Sequence, residues 1–416
     1  MNDKIKSQLQ QREFAALKDQ HKVLLKWATG CGKSKMTIDL INNIVVSRNS
    51  SHLAKILLVV AERAHIKNWQ AEFEKWHLSF DKVTIDIICY ASLKKAAEGL
   101  YGAPDVIIFD EAHHLFSEKR LSYAEDINNN MWGDSYVFML SATLSANKQY
   151  AAEDIFGKFK VSSITLKDAI QSEILPDPKV YVIGMELDNT RENQEIEVRK
   201  GTKPMIVNWE NRNKYKYKST PYTIRCTQQQ KYMWFTNEME YWKERYKLSN
   251  NPFHRNCWVN LGSRRKRFLG ELKTSVVRSL INSLPIMKRY VCFCASVAQA
   301  ESLCAGNTLS STKTTKKNQE IIDAFNSKKT NRIYAVGMIT EGMNLTDIHI
   351  GIIVQLDGKE RLFIQKFGRV CRADSPVCYV FYYKNTQDEV YLKQALENID
   401  PQYIKYCNTS DICKNV

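Results

Sequence analysis

Apolar positions along the chain fall in short runs separated by polar, helix-periodic stretches. Five runs, at 23–25, 56–60, 85–88, 106–109 and 136–140, are short and nearly continuous. That is how parallel strands covered on both faces read. A second set at 290–294, 332–336, 350–354 and 377–381 repeats the spacing, and a run at 179–183 opens it after the turn Leu175-Pro176-Asp177-Pro178. The predicted fold is α/β: two parallel-sheet lobes, 1–165 and 166–385, with a mainly helical insertion at about 185–285 in the second and a helical tail over 386–416. No short repeat or low-complexity tract is present; the doubling of the α/β pattern is the internal symmetry.

The 416 residues suffice to bury two cores without a metal or disulfide. Eleven cysteines are scattered, and Cys292 and Cys294 form a C-x-C rather than a zinc-type spacing, so reduced cysteines in a cytosol-like compartment are expected. The polar N-terminus and the absence of an apolar run of ~20 residues predict neither secretion nor membrane insertion.

Charge changes the picture locally. The net charge is +15, and residues 201–290 hold 19 Lys or Arg against 5 Asp or Glu, with Trp209, Trp234, Trp242 and Trp258 among them. Basic side chains neutralise phosphates and aromatic faces stack on bases, so the segment, with Arg264, Arg265, Lys266 and Arg267 at its centre, suits a nucleic-acid surface. A solvated helical face over its own aromatic core would read the same way.

Candidate chemistry sits at the ends of predicted strands. The first runs into Ala28-Thr29-Gly30-Cys31-Gly32-Lys33-Ser34 and then an amphipathic helix. Glycines let backbone N–H groups face phosphates, Lys33 can reach the β and γ oxygens, and Ser34 can ligate Mg²⁺. Trp27 stands where many such loops begin with Gly. The 106–109 strand ends in Asp110-Glu111, one carboxylate for Mg²⁺ and one to orient and deprotonate water; two acids there could also be a helix-start signal. Downstream, Arg369 and Arg372 lie three apart on one predicted helix face, placed for a γ-phosphate or for a neighbouring carboxylate.

In this order the pieces resemble the superfamily 2 helicases and translocases, over most of residues 8–385. The resemblance implies two RecA-like lobes closing on ATP and Mg²⁺. Gln11-Arg12-Glu13 is similar to the glutamine motif that reads adenine, and Ala28 to Ser34 (with Thr29, Gly30, Cys31, Gly32 and Lys33) matches the motif I form that accounts for Trp27. Residues 59–69 are similar to motif Ia, with Ala61-Glu62-Arg63 for the usual proline turn. Asp110-Glu111-Ala112-His113 matches motif II and Ser141-Ala142-Thr143 motif III, implying coupling roles for His113, Ser141 and Thr143. The Phe293 region resembles motif IV, Glu341-Gly342-Met343-Asn344 motif V, and Gln365 to Arg372 motif VI.

His114 after His113 resembles the restriction-enzyme motor, XPB and UvsW-like group, and residues 222–228 with the following aromatic helix resemble Snf2-like duplex translocases. The expectation is an ATP hydrolase moving on or remodelling duplex or branched DNA, DNA being favoured over RNA. An RNA helicase of the same fold and an ATP-switched nucleic-acid-binding regulator are the alternatives. A monomer without membrane attachment is expected, in a prokaryotic or phage-infected cell, with any nuclease or recombination activity left to a partner.

Overall fold

The computed structural model describes residues 3–48, 53–198, 222–304, 306–337, 345–356, 367–368, 370, 373–397 and 399–409. Helix α1 (Asp3–Leu17) leads into β1 (Lys22–Trp27), α2 (Lys33–Arg48), β2 (Ala54–Val60), α3 (Arg63–Lys75), β3 (Val83–Cys89) and α4 (Leu93–Ala97). Then come β4 (Val106–Phe109), α5 (Glu118–Asn129), β5 (Tyr136–Leu140), α6 (Ala146–Phe156), β6 (Lys160–Ile164) and α7 (Leu166–Gln171). The six strands are parallel in the order β3-β2-β4-β5-β1-β6. Neighbouring residues alternate between two cores: Ile56, Leu58 and Val60 face one, Leu57 and Val59 the other. This two-sided burial is why the strands are apolar throughout.

The sixth strand was not expected. As an edge strand, β6 pairs only with β1 and carries Lys-Val-Ser-Ser-Ile, with Val161 exposed. A strand covered on one face has no continuous apolar run to announce it.

The second sheet begins with β7 (Lys179–Met185). Residues 185–285, expected to be mainly helical, first form an antiparallel ribbon of β8 (Gln194–Val198) and β9 (Tyr222–Cys226). Then come α8 (Gln228–Ser249), α9 (Pro252–Leu272) and α10 (Thr274–Ser283). Thr227 and Gln230 form a capping box at the start of α8, and Asn251 caps α9 with Pro252 in its first turn, so side chains satisfy the free N–H groups at both starts.

The remaining elements are β10 (Tyr290–Phe293), α11 (Val297–Leu303), β11 (Thr308–Ser310), α12 (Thr315–Asn326), β12 (Arg332–Val336), β13 (Ile350–Ile353), β14 (Val377–Tyr383), α13 (Gln387–Leu396) and β15 (Ile404–Asn408). They build a parallel sheet in the order β11-β12-β10-β13-β14-β7-β15. Among its described residues the tail, expected to be helical, is α-helix only in its first part. After α13 the chain returns as β15, pairing in parallel with β7 from Ile404 opposite Val180.

One apolar cluster is shared by both lobes. It joins Ala28 and Cys31 of the first to Phe367 and Val370 of the second, with Ile174 and Leu175 between them. The second lobe is further locked by Lys273, wholly buried between α9 and α10, whose Nζ lies 2.7 Å from Asp388 Oδ2. It also donates to Val354 O at 2.7 Å and Phe381 O at 2.9 Å, so its three N–H donors are all used. Burial pushes the Lys273 ammonium down although Asp388 pulls it up. Asp388→Ala leaves that charge uncompensated and is expected to cost about 3–5 kcal/mol, measured by denaturant unfolding. A loss under about 1 kcal/mol would mean that water takes over the carboxylate's role.

Candidate active site

The loop after β1 is shaped by two glycines in the left-handed region, Gly30 at φ 97° and Gly32 at φ 94°, where an L side chain is strained. Helix α1 clasps its outer side. Lys6 Nζ donates to Gly30 O at 2.8 Å and Gln10 Nε2 to Cys31 O at 3.0 Å. Lys33 opens α2 with Ser34 beside it in the first turn, and its Nζ donates to Trp27 O at 2.8 Å. Burial pushes the Cys31 thiol up to about 11 although Lys33 and Lys6 pull it down, so it stays protonated and is no nucleophile. Trp27 is fully buried, and its indole donates to Ser162 Oγ (2.7 Å), which donates to Glu13 Oε2 (2.7 Å). That relay pins α1 across β1 and β6.

Of the expected glutamine motif, Gln10 rather than Gln11 touches the loop. Gln11 lines a cleft of about 450 Å³ between α1 and α2, with Gln10 and Phe14 from one helix and Lys35, Asp39 and Asn42 among those from the other. Phe14, not singled out from the sequence, joins this face through the i, i+3, i+4, i+7 spacing of Ser7, Gln10, Gln11 and Phe14.

Asp110 and Glu111 follow β4 directly. Asp110 Oδ2 accepts from Trp69 Nε1 at 2.8 Å and lies 3.7 Å from His65 Nδ1; Oδ1 accepts from Glu111 N at 3.0 Å. Burial alone would raise this carboxyl, but the His65 and Trp69 contacts and the Lys33 charge outweigh it and hold it below its ordinary value. It is therefore a carboxylate with lone pairs to spare. Glu111 turns into the left-handed region at φ 47°, ψ 54°, which costs about 1–3 kcal/mol. Its Oε2 is buried, accepts no hydrogen bond among the described residues, and lies 3.4 Å from His113 Nδ1. The sequence reading did not single out His65 or Trp69. Their i, i+4 spacing after β2 is the signal, but it cannot reveal which strand end they reach.

The donor set fits Mg²⁺. Ser34 offers a hydroxyl and Asp110 a charged carboxylate, and Mg²⁺ keeps most of its waters instead of requiring an all-protein cage. Among the described residues no group of three or more His, Cys, Asp or Glu forms a cage for another metal.

In the third segment Ser141 is buried, its N–H bonded to Leu25 O (3.0 Å) and its Oγ donating to Thr143 O (3.1 Å). Thr143 Oγ1 is buried with no hydrogen-bond partner among the described residues. His113 packs its ring on His114, centroids 4.4 Å apart.

From the second lobe, Gly368 meets the loop itself. A Cβ added at Gly368 would lie 3.0 Å from Thr29 Cβ. Leu175, in the turn before the second sheet, has its Cδ2 3.3 Å from where a Cβ on Gly30 would be. Glu341, Gly342, Gln365, Arg369 and Arg372 lie outside the described residues.

The basic cluster on α9 divides. Arg264 and Arg267 are exposed and Lys266 half-buried. Arg265, expected on the nucleic-acid surface, is instead buried, donating to Thr236 Oγ1 (2.9 Å) and Gln387 Oε1 (3.2 Å) with its guanidinium over the Tyr232 ring. It braces α9 against α8 and α13, because four consecutive basic residues on a helix cannot all face outward when one side packs on a core.

Residues 2–146 match the family described as the type III restriction enzyme, res subunit. Residues 273–374 match the helicase conserved C-terminal domain. No curated protein matches the sequence. Among solved structures the chain is similar to S. cerevisiae Dbp5 bound to RNA and ADP BeF3, at 11% identity and TM-score 0.60, covering 98% of this chain and 92% of that one. It is also similar to the Pyrococcus furiosus Hef helicase domain, at 12% identity and TM-score 0.52, covering 92% and 96%. The ATP-dependent type ISP restriction-modification enzyme LlaBIII bound to DNA matches at 12% identity and TM-score 0.54, over 97% of this chain but 31% of that one. At these identities the likeness is one of fold.

The loop geometry makes a test. A Cβ at Gly32 would stand 2.1 Å from Gln10 Nε2, at a φ that L residues avoid. Gly32→Ala is expected to weaken binding of a fluorescent ATP analogue by about tenfold or more. Unchanged affinity would mean that nucleotide does not use this loop.

Proposed function

Because the chain belongs to the superfamily 2 helicases, we propose that it couples ATP hydrolysis to directional movement on, or remodelling of, duplex or branched DNA. The observation that supports this reading is the close approach of Gly368 to Thr29, where the second lobe meets the loop. In that arrangement the N–H groups of the loop and Lys33 hold the phosphates, and the α1–α2 cleft takes the base, with Gln11 and Phe14 as its walls. Ser34 and Asp110 would hold Mg²⁺, which would supply charge neutralisation at the phosphates. Glu111, whose Oε2 accepts no hydrogen bond among the described residues, orients the attacking water and takes its proton. Gln365, Arg369 and Arg372, next to Gly368 in sequence, would stabilise the charge on the γ-phosphate from the second lobe, with Glu341 and Gly342 contacting the nucleotide from the same side.

Closing and reopening the lobes around this site would move a bound strand. His113, Ser141 and Thr143, around the carboxylates, are the coupling elements; the unsatisfied Thr143 hydroxyl favours this role, since a second arrangement can supply its partner. The match of residues 2–146 to the type III restriction enzyme, res subunit, family supports DNA as the track. A nuclease partner is compatible with that match.

The test is ATP hydrolysis by the full chain with single-stranded, duplex and branched DNA and matched RNA, followed by strand displacement on the best activator. Strongest stimulation by duplex or branched DNA is expected. Strongest stimulation by RNA would make it an RNA helicase of the same fold. ATP binding without turnover on every nucleic acid would make it an ATP-switched regulator.

A further inference from the structure

Helices α8 and α9 form an antiparallel hairpin whose root is core and whose far end is not. Tyr232, Trp234 and Phe235 are buried near the start of α8, and Leu261, Phe268 and Leu269 in the second half of α9. Between these groups, from 236 to 260, no residue is buried. The outer part of α8 alone extends about 21 Å at 1.5 Å per residue. A two-helix arm of that length has no core of its own to form.

The far end is nevertheless built. Asn250 takes the left-handed turn at φ 51°, Asn251 Oδ1 accepts from Phe253 N at 2.9 Å, and Ser249 Oγ meets His254 Nδ1 at 2.8 Å. Aromatic rings join the two helices: Trp242 edge-on to Phe253 at 5.8 Å and Tyr246 stacked on Trp258 at 6.4 Å. The outward faces stay open, Leu248 being 88% and Phe253 60% exposed. Charge is one-sided as well. Between Glu244 and Glu271 the chain carries seven Lys or Arg and no Asp or Glu.

These two features select one class of partner. Positive charge, which all of the seven but the buried Arg265 carry at the surface, calls for a polyanion, and the exposed ring of Phe253 calls for a planar group to stack on. Nucleic acid with unpaired bases supplies both, whereas an intact duplex keeps its base faces within the stack. We propose that the α8–α9 arm engages nucleic acid in two zones: exposed cations of α9, Arg264 and Arg267, on the phosphates, and the Phe253–Leu248 tip on unpaired bases where a duplex opens. This inference rests on the nucleic-acid motor reading and gives the arm selectivity for single strands and forks.

The test measures binding of the full chain to single-stranded, blunt duplex and forked DNA over a range of salt. Two variants are compared, Leu248→Ser with Phe253→Ala, and Arg264→Ala with Arg267→Ala. All four side chains are exposed, and unchanged binding of a fluorescent ATP analogue reports an intact fold. The tip variant is expected to lose about 5- to 100-fold affinity for single strands and forks, none for blunt duplex, at an unchanged salt slope. The cation variant is expected to weaken all three and flatten the logarithmic salt slope by roughly 2. A tip variant that binds all three DNAs like the wild type overturns the inference and makes the tip a protein-docking surface; equal loss on all three overturns it too. A wild-type chain that binds no nucleic acid sinks the motor reading itself.

Discussion

The candidate site depends on how β4 ends. Its four residues are fully buried between two cores, so the chain cannot stop within it; the first position with room for charge is Asp110. There the ladder closes with Asp110 N bonded to Val59 O at 2.9 Å, and Tyr90 Oη donates to Asp110 O at 3.0 Å. With the backbone held on both sides, the next residue takes the left-handed turn. That turn separates two neighbouring carboxylates into different environments: Asp110, held by an indole and kept ionised, and Glu111, half-buried, its Oε2 beside His113 and accepting no hydrogen bond among the described residues.

Around this strand end the first lobe is arranged for rigidity. The Trp27–Ser162–Glu13 relay fixes α1, and α1 in turn holds the loop carbonyls through Lys6 and Gln10. A preorganised loop binds phosphate without a large ordering cost. The second lobe contributes through a different device, close approach at glycine. Gly368 faces Thr29, and Gly351 leaves room for Val370, whose Cγ2 would be 2.5 Å from a Cβ at that position. Phe367 and Val370 can therefore join the shared core while Gly368 touches the other lobe.

Much of this was legible in the chain because buried parallel strands leave continuous apolar runs and phosphate loops need glycines at fixed positions. Strands β1 to β5 of the first lobe and the loop at Ala28 to Ser34 were read on those grounds. What escaped has physical reasons. Edge strands such as β6 and β15 alternate or are polar, since one side lacks a neighbour. Arg265 reads as surface charge beside Arg264 and Lys266, and only packing against Thr236 and Gln387 reveals a brace. The clasp of Trp69 on Asp110 joins residues 41 apart in sequence, a juxtaposition set by the strand order β2-β4 and invisible to any local pattern.

The division of labour at the end of β4 is open to one direct measurement, ATP binding and ATP turnover by Glu111→Gln compared with the wild-type chain. The isosteric amide keeps the shape and the left-handed turn but cannot take a proton. Unchanged ATP affinity with turnover lowered about a hundredfold or more is predicted. Turnover at the wild-type rate, or loss of binding and turnover together, would contradict the assignment of Glu111 as the base beside a phosphate site that it does not itself hold.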